Sequence, residues 1–179
     1  MPPPKLTRAS ATYVCIGGFI AIGSVASIAA LTGATFIFPS LGATAFLQLY
    51  VPLAPVASPR NTICGHGLSI VAGAVALLVT GLWNAPHALA NAMSWQQVLA
   101  AALAMALSGG LMCKFNLGHP PAAATALIVA LGLVHTIDHL LILEAAVVLL
   151  TAVAYITNHI AGVKFPLWAP PKPGHHLTA

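Results

Sequence analysis

Four apolar runs, at about residues 12–32, 60–82, 95–113 and 139–161, constrain this chain before anything else. Each is long enough for a helix rising ~1.5 Å per residue to cross a hydrocarbon core of ~30 Å. A backbone amide in that core finds no water, so a single segment must pair its own N–H and C=O groups, and the helix is the form that does so. With 6 Lys+Arg and 2 Asp+Glu in 179 residues, the chain could not clothe the surface of a soluble domain of its size. The sequence therefore predicts one all-α, multispanning membrane domain over residues 12–162, between a tail at 1–11 and a tail at 163–179. Lys5 and Arg8 before an apolar run suggest a signal peptide, but Thr12 to Leu31 exceeds a typical signal core and is read as a retained span.

The same composition narrows function. Two carboxylates leave little for enzymology, and no GxSxG, HExxH or phosphate-loop pattern is present, so no catalysis and no cofactor are expected. The cations sit on loops and tails, where they report topology rather than nucleic-acid binding. Cys15, Cys64 and Cys113 form no CxxC pair and read as free thiols in apolar segments.

Two further apolar segments, 40–53 and 121–134, are too short to span, reaching ~20 Å as helices. Both begin at proline. Pro120 and Pro121 cannot continue a helix from upstream, yet they suit a first turn, where N–H groups are unpaired anyway. Residues 36–45 align without gaps on 117–126, sharing Pro39/Pro120, Ala43/Ala124, Thr44/Thr125 and Ala45/Ala126 at an offset of 81. The same offset carries 13–32 onto 94–113 and 58–78 onto 139–159, which predicts a duplicated three-helix unit, repeat one at 12–82 and repeat two at 94–161.

If all six segments cross from a cytoplasmic N-terminus, Lys5, Arg8, Arg60, Lys114, Lys164 and Lys172 all lie in the cytoplasm. Re-entrant short segments would move Arg60 and Lys114 outside. Six crossings are therefore expected, with both termini cytoplasmic and the two three-helix repeats inverted relative to each other. Extended chain at Ala34–Phe38 and at Lys114–Gly118 would then bring both short helix starts, with free N–H groups and positive dipole ends, to one spot near the midplane.

Candidate substrate contacts are Pro39, Ser40 and Thr44 at the first break, with Asn116, Gly118, His119, Pro120, Pro121 and Thr125 at the second. The plainer alternatives are hydroxyls bonded to their own backbone four residues back, Asn116 closing a turn, and His119 satisfying a helix end. His119, His66 and Glu144 are candidate proton relays, since ionisable groups at membrane depth are costly; Glu144 could instead sit at headgroup level. Unit one has Phe38 where unit two has His119, so only one half can titrate near neutral pH, and proton and anion would enter together. His135-Thr136-Ile137-Asp138-His139 has metal-like spacing on a predicted outer loop, but no metal is expected there. Trp83, Trp95 and Trp168 fall at segment ends, as in an interfacial belt. Gly17, Gly23, Gly73, Gly109 and Gly110 read as helix-packing positions.

Three spaced motifs carry a resemblance to a known family. They are Phe38-Pro39-Ser40-Leu41-Gly42-Ala43, Pro59-Arg60-Asn61 with Gly65-His66, and Gly118-His119-Pro120-Pro121-Ala122-Ala123-Ala124-Thr125-Ala126. Over about residues 10–162 the chain resembles the HPP family of integral membrane proteins, named for that His-Pro-Pro. Its members are usually described as four-span proteins, which counts only the long runs, and plant and cyanobacterial members have been linked to nitrite transport. The resemblance implies a transporter or channel for nitrite or a similar small monovalent anion, with a midplane site at the two breaks. Its implied partners are the lipid bilayer, a small inorganic anion and, as an open alternative, further copies of the chain. Some relatives append CBS modules or a plastid transit sequence; without them a bacterial inner membrane is expected. The competing reading is a non-transporting scaffold or sensor subunit.

Overall fold

The long helices all begin in one way and the short ones in another, as their first residues dictate. The computed structural model describes residues 9–34, 37–88 and 92–170, and all regular structure among them is helical. Four long helices are α1 (Ala11–Thr32), α3 (Pro59–Val79), α4 (Trp95–Lys114) and α6 (Ile137–Ile160); two short ones are α2 (Pro39–Tyr50) and α5 (Pro120–Ala130). Ser10, Ser58, Ser94 and Thr136 cap the long helices, their side-chain oxygens accepting from the amides of Tyr13, Asn61, Gln97 and His139. Such caps each contribute about 1 kcal/mol. The short helices have proline in the first turn and no side-chain cap.

The long helices have 22, 21, 20 and 24 residues and are apolar enough to cross a membrane. The short ones have 12 and 11 residues, or ~17 Å. They stop earlier than their apolar runs suggest. Val51, forced out of the helical region by Pro52 (φ −131, ψ 59), ends α2, and a 3-10 turn at Pro55–Ala57 leads into α3. Past Leu131, Gly132 turns left-handed at φ 73 and closes α5. The predicted outer loop at 135–139 is also corrected. Thr136 caps α6, so Asp138 and His139 lie in its first turn, where a carboxylate suits the helix dipole.

Chain direction alternates through all six helices. At one end Ala9 N–H donates to Tyr50 O (3.1 Å), Arg60 N–H donates to Trp168 O (3.0 Å), and the Arg60 guanidinium reaches Phe115 O. At the other, Trp83 stacks edge-on against His135 and Ala88 N–H donates to Leu131 O (2.9 Å). Arg60, Lys114 and Lys164 belong to the first end and Asp138 to the second. The placement of Lys5, Arg8 and Lys172, and the extended course expected through Thr35 and Phe36, lie outside the described residues.

Helix interfaces come in matched pairs. α1 packs on α2 as α4 packs on α5, α1 on α6 as α4 on α3, and α2 on α6 as α5 on α3; α2·α5 and α3·α6 map onto themselves. Helix ends at 32 and 114, 50 and 130, and 79 and 160 differ by 82, 80 and 81. The α3·α5 contact is close because Gly73 lacks a side chain: a Cβ there would lie 2.7 Å from Val129 Cβ and 2.8 Å from Ala126 O. On the other side Leu41 of α2 packs with Leu143, Val147 and Leu150 of α6 in the apolar core. Phe19, Leu31, Val79 and Ile160, each at least 70% exposed, face outward to lipid.

Candidate functional site

The two short helices lie side by side and antiparallel. Thr125 of α5 donates to Ser40 Oγ of α2 at 2.9 Å, while Thr44 Oγ1 sits 3.1 Å from His119 Nε2. Their starts therefore pass each other by about a turn instead of meeting end to end as the sequence suggested. Each dipole end flanks the middle of its neighbour. Few backbone donors remain there either. Pro39, Pro120 and Pro121 have none, and the amides of Leu41 and Ala122 are taken by Phe38 O (3.0 Å) and His119 O (2.9 Å). What the two breaks present to the interior is side-chain hydroxyl and imidazole.

These groups form one buried cluster with α3. Ser40, Thr44, His66, His119 and Thr125 are each 1% exposed or less. Thr44 Oγ1 lies 3.0 Å from Ser40 O, 3.1 Å from His66 Nε2 and 3.1 Å from His119 Nε2. His66 Nδ1 pairs with Thr125 Oγ1 at 2.8 Å, and His119 Nδ1 donates to Val56 O at 2.6 Å. The rings are 5.1 Å apart, tilted by 56°. His119 makes no side-chain bond to the start of α5, so its imidazole is not that helix's cap. Gly65 allows the approach: a Cβ there would meet His119 Cβ at 3.1 Å and Leu117 O at 3.3 Å.

A file of buried polar side chains continues toward the Arg60 end. Gln48 Nε2 donates to Thr62 Oγ1 and Thr151 Oγ1, both at 3.2 Å, and Thr62 lies 3.5 Å from His119 Nδ1. Asn158 donates through Nδ2 to Gln48 O (3.2 Å), and its Oδ1 accepts from Tyr13 O–H (3.0 Å). On the opposite side a cavity of about 220 Å³ is lined by Ile37, Phe38, Pro39, Ile128 and His139 among others, with Ser40, the residue after Pro39, not in its lining. The cluster is thus closed, with an apolar vestibule on one side and a polar file on the other.

Of the residues singled out by sequence, Ser40, Thr44, His66, His119 and Thr125 are in contact. Pro121 is buried behind them, while Pro39 and Pro120 are exposed. Asn116 is not in the cluster; it is exposed and left-handed (φ 52), turning the chain out of α4. Gly118 takes part only through its carbonyl, which accepts from Asn61 Nδ2 at 3.3 Å. Glu144 faces α3 at Gly67, where a Cβ would lie 3.8 Å from its Oε1, and Oε2 is buried with no hydrogen-bond partner among the described residues. His135 and His139 bond Gly132 O (3.1 Å) and Thr136 Oγ1 (2.9 Å), and no group of three or more His, Cys, Asp or Glu gathers among the described residues. The three cysteines are free.

Sequence reading passed over Thr62, Gln48, Thr151, Asn158 and the Val56 carbonyl. A polar residue within an apolar helix was the signal for the first four; the carbonyl, set by a 3-10 turn, left none. At the offset of 81, moreover, Thr62, His66 and Ser69 of α3 correspond to Leu143, Val147 and Leu150 of α6. At these three positions α3 is polar where α6 is apolar.

Residues 3–166 match the family described as HPP, transmembrane region. A transmembrane protein of Dictyostelium discoideum is 34% identical over 134 residues, covering 72% of this chain and 44% of the relative. The chain thus spans less than half the length of that relative. No solved structure matches.

Proposed function

Because the chain belongs to the HPP transmembrane family, we propose that its imidazole–hydroxyl cluster is the closed site of a transporter or channel for a small monovalent anion, nitrite being the first ion to test. The observation that carries this reading is the cluster itself. Five polar side chains from α2, α3 and α5 are buried together where both short helices begin, a costly arrangement in a membrane protein. Ser40, Thr44 and Thr125 offer hydroxyl donors and His66 and His119 offer ring N–H groups, with the positive ends of two helix dipoles alongside. The vestibule at Pro39 and the polar file to Tyr13 are the approaches from either side.

The orientation follows from charge. Arg60, Lys114 and Lys164 share one end, which the positive-inside rule assigns to the cytoplasm of a cell with the chain in its inner (plasma) membrane, both termini inside. Three alternating helices per unit, with matched interfaces between units, support inverted repeats.

Nitrite uptake into proteoliposomes, measured against empty vesicles, tests the reading. Uptake above the empty-vesicle rate is expected; none for nitrite, nitrate or formate would overturn it. One observation favours the second reading, a non-transporting scaffold or sensor subunit: the cluster's polar groups already bond one another, and each is buried to within 1%. Absent flux from folded protein would select that alternative.

A further inference from the structure

We propose that His66, Thr44 and His119 form a single-proton site, in which one added proton is shared between the two imidazoles through the Thr44 hydroxyl. Proton binding at this site is the same whichever ion crosses the membrane, or none.

The tautomers follow from the partners on the far side of each ring. Val56 offers His119 a carbonyl oxygen, which only accepts, so Nδ1 carries the hydrogen in that 2.6 Å bond. On His66 the partner is Thr125, whose own hydroxyl hydrogen is spent on Ser40 Oγ at 2.9 Å. Thr125 Oγ1 must therefore accept, and His66 Nδ1 also carries its hydrogen. Two neutral rings protonated at Nδ1 both present a bare lone pair at Nε2. Both lone pairs point at the same atom, Thr44 Oγ1, each at 3.1 Å.

Thr44 cannot serve them both. Its hydroxyl has one hydrogen and three acceptors within reach: His66 Nε2, His119 Nε2 and the carbonyl of Ser40 at 3.0 Å. With both rings neutral, at least one fully buried imidazole nitrogen has no donor, the condition that proteins avoid. One proton on either Nε2 repairs it. That N–H donates to Thr44 Oγ1, Thr44 donates to the other Nε2, and passing the proton across exchanges the roles of the two rings. Two protons would satisfy Thr44 as well, since its hydrogen could turn to Ser40 O. They would also put two positive charges on rings 5.1 Å apart at zero exposure, beside the positive ends of two helices.

The surroundings do not alter this count. α2 presents Ser40, Thr44 and Gln48, α3 presents Thr62 and His66, and α5 with its approach presents His119 and Thr125. α6 presents Thr151 through Gln48 and, at Gly67, the Glu144 carboxylate; α4 reaches α3 through Ser108, 2.7 Å from Ser69. Among the described residues neither Cys64 nor Arg60 of α3, nor Glu144, hydrogen-bonds either ring; Arg60 turns away to Phe115 O. The added positive charge has no fixed counter-charge bonded to it, so an anion held by the hydroxyls is the natural companion of the proton.

Histidine-selective nitrogen-15 NMR of the whole chain in lipid bilayers tests this, with the two rings assigned through His66→Gln and His119→Gln. At alkaline pH both rings should show the Nδ1–H tautomer. On acidification both Nε2 signals should move together, with one midpoint, each to about half the full change from neutral ring to cation. Thr44→Ser should preserve the shared shift, and Thr44→Val should abolish it, one ring taking the whole change. Separate midpoints with a full change on each ring, no change before the protein unfolds, or Nε2–H tautomers at the start would each overturn the proposal. An unaltered half-shift in Thr44→Val would do the same for the bridge. Should Thr44→Val fail to fold, the wild-type and Thr44→Ser spectra decide.

Discussion

His119 is held by both ring nitrogens, Nδ1 on Val56 O at 2.6 Å and Nε2 on Thr44 at 3.1 Å. On the proposed function, a proton gained by the His66–Thr44–His119 site as pH falls adds positive charge beside the anion, so wild-type uptake should rise from about pH 8 to pH 5. His119→Gln removes the competing ring, so the Thr44 hydrogen satisfies His66 Nε2 without an added proton; the variant should fold, retain part of the flux and give a flatter profile across that range. A profile as steep as wild type, measured by nitrite uptake at stepped pH, would remove the imidazole from the coupling. The sequence pointed to His119, Ser40, Thr44 and Thr125 because a proline break flanked by hydroxyls in an apolar chain is itself anomalous. It misplaced Asn116 because adjacency along the chain is not adjacency in space: a single left-handed residue swings that side chain outward.

Among the helices, α3 does the positioning, and its glycines are the means. A methyl at position 73 would fall 2.7 Å from Val129 Cβ and 2.8 Å from Ala126 O, both on the body of α5. Gly73→Ala should therefore cost about 1–3 kcal/mol of stability, as overpacked contacts do, readable as a lower melting temperature in detergent. At position 65 the tight contacts are His119 Cβ at 3.1 Å and Leu117 O at 3.3 Å, both on the approach to α5, so a methyl there needs a shift of only a few tenths of an ångström and that shift moves the His119 ring. Gly65→Ala should accordingly lower uptake more than melting temperature; the reverse pattern would show that the site tolerates a displaced ring. The six segments and their offset of 81 were legible because apolar length and proline placement are local properties of a chain. The sideways overlap of α2 and α5 was not, since it depends on how far α5 slides along α3 and α2 along α6, and for α5 that distance is set by packing against Gly65 and Gly73.

At the scale of the whole molecule, alternation of all six helices puts Arg60 and Asp138 at opposite ends. In a chain whose Cys15, Cys64 and Cys113 are replaced by alanine, Arg60→Cys and Asp138→Cys should label from opposite sides of the membrane with an impermeant maleimide, Asp138→Cys from outside. Labelling from one side would mean that the short helices turn back. The closed cluster bears on temperature as well. Before Ser40 can meet the vestibule, α5 must release at least the Thr125–Ser40 and His119–Thr44 bonds, in surroundings where each is worth about 4–6 kcal/mol because no water replaces it. An activation enthalpy on the order of 10 kcal/mol would roughly halve the flux for every ten degrees of cooling, a steeper fall than viscosity imposes on ions drifting through an open aqueous pore. On the proposed function, flux recorded against temperature thus reads whether ions cross through a standing passage or the seam must unlatch for each one, and the shut seam between α2 and α5 argues for the latch.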